Sequence, residues 1–559
     1  MHTLSRALSG VLVATLLAAC NDPLAVENRN NPDRRRVLAT PADLEALTAS
    51  AFRAMHLGSI GGAGLASGLA THARAAAGEH SSGLNNCGLN LRSGIPRVPI
   101  NNTRQSLLST EQVYDFNGES VAARTAADGL NALLVTRTST GSAAQDARLK
   151  AFAWFTLGVS QGNLALVYDS AAIADPYADL STISDLLSYR DVMAAALAAL
   201  DSALAWASIA TTATGSNGFP LPSTWINGNA LTAAQFGQLA RSYKAHFRAD
   251  VARTKAEGDA ADWSAVLADA ANGITADVLI TTQASPSWSV YLCGALSGGL
   301  WNQSHQLYAG MADTSGGFDA WLRAPLRNKV PFLVVTPDRR YPQGLTRAAQ
   351  QANSPTAPTG VLYFRNRSTA DLASVDEYGT SYYEWYRFYT WAYTAGGGPY
   401  PVFSHNQNDM LQAEAHIRTG NIQAAAALID IYRTRVGLPA LAGVITALGQ
   451  PVPGGTAANP VPGGTSCVPR VPVGTGPEWT GSACGDIWEA MKWEYRMENM
   501  FVGYAAWYFP ARRWNDLPEG TGLNWPVSWQ EMDARRHPFY DLGGVGGRDG
   551  QVGKGTYGL

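Results

Sequence analysis

Residues 493–521 read WEYRMENMFVGYAAWYFPARRWNDLPEGT. The stretch mixes aromatic rings with spaced charges: Glu494, Arg496 and Glu498, then Arg512, Arg513 and Trp514. It could be a ligand surface, a catalytic cluster or the buried underside of a helical body. Glu494, Arg496 and Glu498 alternate, so the reading of the residues sends them to different sides of a helix. Trp488, Met491, Tyr495 and Val502 share an apolar stripe instead. That pattern predicts a buried helix whose arginines pair with carboxylates or cap carbonyls.

The preceding segments supply partners for such a helix. NDMLQAEAHIRTGNIQAAAALIDIYRTRVGLPAL predicts two helices about a turn at Thr419-Gly420-Asn421, with Gly437 as a C-terminal cap. ARLKAFAWFTLGVSQGNLALVYD is apolar on most sides and is predicted to be buried. In SYRDVMAAALAALDSALAWAS, Ser188 and Asp191 form a capping pair, with Met193, Ala196, Leu197, Leu200 and Leu204 on one face. Phe236, Leu239, Tyr243, Phe247 and Val251 line a further helix. A tight turn at Gly258-Asp259 leads to another, lined by Trp263, Val266, Leu267 and Ala270. Near the start, Thr40, Pro41 and Asp43 open a helix striped by Leu44, Leu47, Ala51 and Met55. Paired helices with small residues and glycine turns are the grammar of tetratricopeptide-like (TPR-like) repeats, without a regular period.

Between residues 276 and 405 helical periodicity fades and Pro, Gly and aromatics rise. SYYEWYRFYTWAY, residues 381–393, alternates imperfectly, which fits a strand with one buried face.

At the other end, MHTLSRALSGVLVATLLAAC carries Arg6 and an apolar run from Val11 to Ala19, and closes on Leu17-Ala18-Ala19-Cys20. That is the layout of a bacterial secretory signal peptide, too short to span a bilayer. Leu-Ala-Ala-Cys resembles the lipobox of bacterial lipoproteins, which implies cleavage before Cys20 and attachment of several long acyl chains, such as palmitate. The expected division is signal peptide 1–19, lipidated N-terminus and tether 20–37, N-terminal helical region 38–275, irregular lobe 276–405 and C-terminal region 406–559.

Composition narrows the function. The 559 residues carry a net charge of −3, and 15% are charged. A nucleic-acid footprint needs a basic stripe, and there is none. Besides Cys20 there are Cys87, Cys293, Cys467 and Cys484, an even count that suggests disulfides in an exported chain. Cys467 and Cys484 bracket a Gly/Pro/Thr-rich loop and are expected to pair, leaving Cys87 and Cys293 to pair by elimination. No Cys-x-x-Cys or His-x₃-His spacing supports a metal site. GSIGGAGLASG at 58–68 follows a helix and lacks dinucleotide spacing, and no His-Glu-x-x-His, Gly-x-Ser-x-Gly or P-loop occurs. No cofactor is expected.

With these stretches in order, the chain resembles the SusD/RagB outer-membrane lipoproteins. The resemblance rests on the lipobox, the NPD…ATPADLEAL opening, SYRDVMAAALAALDSAL, LARSYKAHFRADVAR, AEAHIRTGNIQAAAALID and the closing WEYRMENMFVGYAAWYFPARRWNDL. Glu494, Arg496, Glu498, Gly503, Arg512, Arg513 and Trp514 fall in the family's closing pattern. Pro510 and Ala511 stand where that family tends to carry Asp and Leu.

The resemblance implies a mainly α, SusD-like fold: TPR-like helix pairs packed against an irregular, loop-rich lobe with little β. It implies a lipid-anchored, surface-exposed protein of the outer membrane. Such a protein is not an enzyme; it captures an oligosaccharide or peptide and delivers it to a SusC-type TonB-dependent transporter. The competing readings are a TPR-like surface scaffold for protein partners and a surface glycan hydrolase. By region, the family places ligand contacts at roughly 72–104 and 287–321. Sugar rings stack on aromatics and bond planar amides, so Asn85, Asn86 and Asn101 with Trp288, Tyr291, Trp301, Tyr308 and Trp321 are the candidates. A Cys87–Cys293 bridge would tie the two regions together.

Overall fold

Thr40 starts the first helix as the sequence predicts. Its hydroxyl accepts the Asp43 N–H at 3.1 Å, and Pro41 occupies the first turn of α1 (Pro41–His56). The computed structural model describes residues 40–559 apart from 62–67, 83–87, 107, 180–183, 216–217, 284–287, 291–301, 368–377, 389–396, 463–465, 477, 549, 556 and 558–559. The leader, Cys20 and the tether therefore lie outside the described residues, as do Asn85, Asn86, Cys87, Tyr291, Cys293 and Trp301.

The main helices follow in chain order. They are α2 (Leu69–Ala76), α3 (Ser109–Leu134), α4 (Ala143–Val167), α5 (Tyr189–Thr212), α6 (Ala233–Asp250), α7 (Lys255–Asp259) and α8 (Trp263–Ala271). Then come α9 (His405–Arg418), α10 (Ile422–Arg433), α11 (Ile487–Asn499), α12 (Tyr508–Trp514) and α13 (Trp529–Arg535). The strands used below are β1 (His80–Ser82), β2 (Val278–Thr282), β3 (Asn302–Ser304), β4 (Phe364–Asn366), β5 (Tyr383–Trp385), β6 (Gly398–Phe403), β7 (Arg470–Thr475) and β8 (Glu478–Cys484). Strand pairing among the described residues is two-stranded and antiparallel, so the fold is mainly α.

Helix α4 is the centre of the N-terminal bundle. From Ala144 to Val167 nearly every side chain is buried, as its all-round apolarity predicts. Helices α3, α5 and α6 pack around it. At Gly162 an added Cβ would meet the Phe247 ring at 2.1 Å, so glycine sets how closely α4 and α6 approach. Helix α5 is long and apolar enough by composition to cross a membrane, with a mean hydropathy of 1.7. It instead buries Val192, Met193, Ala196 and Leu200 in this core, under the Ser188 cap the sequence predicts.

Helix α3 is a departure, because its 26 residues mix a weak, alanine-rich apolar stripe (Phe116, Ala123, Ala126, Leu130, Leu133) with buried charge. Its inward face carries Glu111, Asp115 and Glu119, all buried. Glu111 is held by Arg92 at 2.6 Å and His72 at 2.9 Å. Burial pushes Glu111 up, but Arg92 and His72 override it and bring the carboxyl to about 2. Asp115 and Glu119 lack such cations, and burial raises both well above the usual carboxylate range. A second departure follows α6. The predicted turn at Gly258-Asp259 is the end of α7, a single short helix capped by Thr254.

The C-terminal pair α9–α10 turns at Gly420, whose φ of 80° favours glycine. It packs with α11 around Met410, Ile417, Ile429, Met491 and Tyr495. Beside it, Cys467 and Cys484 form the expected disulfide, with Cα atoms 5.7 Å apart. In the irregular lobe, β5 pairs with β4, and Tyr383, Glu384 and Trp385 are all buried. Within the aromatic stretch at 381–393, Tyr383–Trp385 is a strand buried on both faces, and Arg387 and Phe388 form a turn.

Candidate ligand site

The closing stretch is densely tied to the rest of the molecule. Trp493, Glu494, Arg496, Arg512 and Arg513 are all buried to within 1%. Arg512 donates to the carbonyls of Leu166 at 2.7 Å, Leu523 at 2.9 Å and Asp250 at 2.8 Å. Arg253 joins it at Leu166 and Tyr168, so two guanidiniums cap the C-terminal carbonyls of α4. Arg513 pairs with Glu414 at 2.6 Å and with Asp250, and Trp514 donates its indole N–H to Glu414 at 3.0 Å. Arg496 pairs with Asp516, which Lys492 also reaches at 2.9 Å.

Glu494 and Glu498 correct the sequence reading. Four residues apart, they share a face, and both meet Arg340, at 2.9 and 3.5 Å. Only Arg496 points elsewhere. Asp338 completes the cluster at 2.8 Å from Arg340. Burial raises the carboxyls of Glu494 and Glu414 to about 7, against the pull of Arg340 on one and Arg418 on the other. This is a structural charge cluster, sealed from solvent.

After α11 the chain makes a tight turn through Phe501 and Gly503, both at positive φ. This turn holds the segment where a ligand is expected. The Glu79 carboxylate accepts the Phe501 N–H at 2.5 Å, and Arg74 donates to the carbonyls of Val502 and Gly503. His80 stacks on the Phe501 ring, centroids 5.4 Å apart. His80 opens β1, and β1 pairs antiparallel with β3: His80 with Ser304, Ser81 with Gln303, Ser82 with Asn302. The two regions expected to share a ligand are therefore joined directly by backbone hydrogen bonds.

The floor under that strand pair is polar and buried. Burial raises the Glu79 carboxyl to about 7, although Arg74 opposes it. Burial, then Arg74, His72 and His305, lower His80 to about 3, so it is neutral at physiological pH. Ser381 ties the irregular lobe to the same floor, donating its N–H to the Gln303 side-chain oxygen and its hydroxyl to the Ser304 carbonyl.

The described aromatic candidates are packed inside the protein. Trp288 is packed between Phe52 and His56, at 6.3 and 5.3 Å. Trp321 stacks with Phe318 and Trp479, and the Lys329 ammonium sits 4.3 Å from its ring. Tyr308 meets Trp507 edge-on at 5.6 Å, with the Arg496 guanidinium over its ring. All three are at least 93% buried, so here they are core residues with their ring faces already taken. Asn101 is half-buried in a different strand pair, opposite Asp541, and its side-chain carbonyl accepts the Thr103 N–H at 2.7 Å. Asn85, Tyr291 and Trp301 fall outside the described residues. Sequence reading missed Arg74, Glu79 and Arg340, the charges that position the strand pair and the closing helix. Arg74, set among alanines, carries a signal that could have marked it; Glu79 and Arg340, which stand beside other polar or charged residues, do not.

A His–Asp pair, His246 and Asp250, is 2.5 Å apart within α6. It borders an enclosed cavity of about 30 Å³, lined by Asn163, Tyr243 and Gln407 among others. That is room for a water molecule and no substrate. Burial and the nearby Arg513 and Arg512 lower His246 to about 3. No group of three potential metal ligands occurs among the described residues.

This geometry defines a mainly α protein in which helix pairs and a closing helix brace an irregular lobe around one strand pair. Solved structures similar to it include SusD superfamily proteins. One from Parabacteroides distasonis matches with a TM-score of 0.50 at 9% identity, over 89% of this chain and 98% of that one. Others come from Bacteroides vulgatus (0.49, 12%, 89% and 97%) and Bacteroides thetaiotaomicron (0.48, 14%, 91% and 97%). No protein-family model matches the chain, and neither does any curated protein sequence. The fold shared with the Parabacteroides protein along nearly its whole length is the SusD-like fold.

Proposed function

We propose that this chain is a cell-surface lipoprotein that captures a nutrient, an oligosaccharide or peptide, without turning it over. It then passes the nutrient to a SusC-type TonB-dependent transporter in the outer membrane. The observation that carries the reading is the SusD-like fold, matched over 89% of the chain. A fold alone does not fix a function. Here it coincides with a leader that ends on the lipobox cysteine Cys20, and with a polar strand pair, β1–β3, joining the two expected ligand regions. The buried charge clusters are sealed from solvent, and the His246–Asp250 pair faces a cavity too small for a substrate, which supports binding over catalysis.

The test is made in the native host. The chain should remain with washed outer membranes and co-purify with a TonB-dependent transporter. Cys20→Ala should release it to the soluble fraction. A chain that stays membrane-bound after Cys20→Ala, or that co-purifies with no transporter, would contradict the proposal.

A further inference from the structure

A second concave site lies well away in sequence from the β1–β3 strand pair. A cleft of about 600 Å³ opens between α7, the end of α9, the loop at Leu448–Gly449 and the start of α11. That volume is typical of small-molecule sites. Trp488 forms part of its wall and is only half-buried. The Arg418 guanidinium is clamped between the Trp488 and Trp263 rings, at 4.8 and 4.6 Å. It is also paired with Glu414 at 2.9 Å and Asp259 at 2.8 Å. The clamp fixes the Trp488 ring, so a ligand would meet a rigid indole.

The cleft's carboxylates are all compensated. Asp259 pairs with Lys255 at 2.6 Å as well as with Arg418. Asp486 caps α11 through the Glu489 N–H at 3.1 Å and accepts the Gly449 N–H at 3.1 Å. Glu489 pairs with Lys492 at 2.7 Å and accepts the Tyr557 hydroxyl at 2.7 Å. A carboxylate offers about four acceptor positions, so each keeps capacity for a hydroxyl. The charged side chains that line the cleft balance, Lys255, Arg418 and Arg513 against Asp259, Asp486 and Glu489, so it offers no net counter-charge to an ionic ligand. A ring with an apolar C–H face and a rim of hydroxyls finds an indole, fixed acceptors and the apolar edge of Leu448, which is 56% exposed.

We propose that this cleft is a second ligand site and that it takes a neutral sugar ring of an oligosaccharide. The assignment stands on the chemistry of the cleft and holds whether or not the chain serves a transporter.

The test titrates the full chain at millimolar concentration with gluco-, xylo-, manno- and galacto-oligosaccharides of about six units, by calorimetry and by tryptophan fluorescence. At least one should bind. Trp488→Ala should weaken it tenfold or more, and Leu448→Asp, at an exposed loop tip where folding is unaffected, several-fold. Binding that survives both variants unchanged places the sugar elsewhere and overturns this site while leaving nutrient capture standing. A chain that binds peptides but none of these sugars does the same. Failure to bind either class would count against the nutrient-capture reading as well.

Discussion

The closing stretch and the β1–β3 strand pair meet at Phe501, yet they are built on opposite principles. The closing stretch is dense with charge, but nearly every charge has a buried partner: Arg340 with Asp338 and Glu494, Arg496 with Asp516, Arg513 with Glu414. The strand pair is three residues long on each side, flanked by segments rich in Gly and Asn. One region is held rigid by ion pairs whose loss is costly. The other is a short strand pair braced from below by Arg74 and Glu79, and its described side chains His80, Ser81, Gln303 and Ser304 are buried. Stability and ligand capture are therefore expected to separate by region.

The largest way to break that comparison is Arg340→Ala. It would leave Asp338, Glu494 and Glu498 facing one another in the core, at a cost of about 3–5 kcal/mol. Chemical denaturation should show that loss, and a near-native midpoint would mean the cluster is not structural. Trp321→Ala comes next. Removing a buried ring stacked on Phe318 and Trp479 should cost roughly 3–5 kcal/mol as well, at the lower end if Lys329 collapses into the space. A stable variant with weakened ligand binding would return Trp321 to the ligand surface.

Cys484→Ser opens the Cys467–Cys484 loop and should lower stability by about 3 kcal/mol, measured by thermal unfolding against the oxidised wild type. No change would show that the loop is already ordered when reduced.

A smaller effect sharpens the floor of the strand pair. Glu79 keeps its proton to about pH 7 in the folded chain, against 4.5 for an unperturbed glutamate. Between those values the folded state binds more protons than the unfolded state, so this group's stabilisation is lost as pH rises from about 4.5 to 7. Glu79→Gln cannot ionise and still accepts from Phe501. Relative to wild type it should gain about 3 kcal/mol across that window and then level off. A flat difference would mean that Arg74 holds Glu79 ionised throughout.

How much was legible in the sequence follows the same division. Helices with an apolar stripe and a capping residue were readable: α1 behind Thr40, α5 behind Ser188 and the α9–α10 pair around Gly420. Helix α3 was harder to read, because its first turns bury Glu111, Asp115 and Glu119 beside Phe116 and its later buried positions, apart from Leu130 and Leu133, are mostly alanines, which give a weak apolar signal. The burial of the closing helix was readable from its stripe. Its ion-pair partners were not, since Arg340 lies more than 150 residues from Glu494. The sequence paired residues 72–104 with 287–321 as candidate ligand regions, and β1 and β3 bring those two regions together. It could not separate Trp288 and Trp321 from surface aromatics, because a tryptophan in an irregular lobe carries the same letter whether it stacks on Phe318 or on a sugar.

The central claim is capture without turnover. Its most direct measurement incubates the full chain with a panel of oligosaccharides and peptides and reads two quantities in the same samples, the melting temperature and the chain length of the recovered ligand. The account predicts a raised melting temperature for at least one ligand, recovered intact after prolonged incubation. Shortened ligand, or a melting temperature unmoved by every member of both classes, would contradict it.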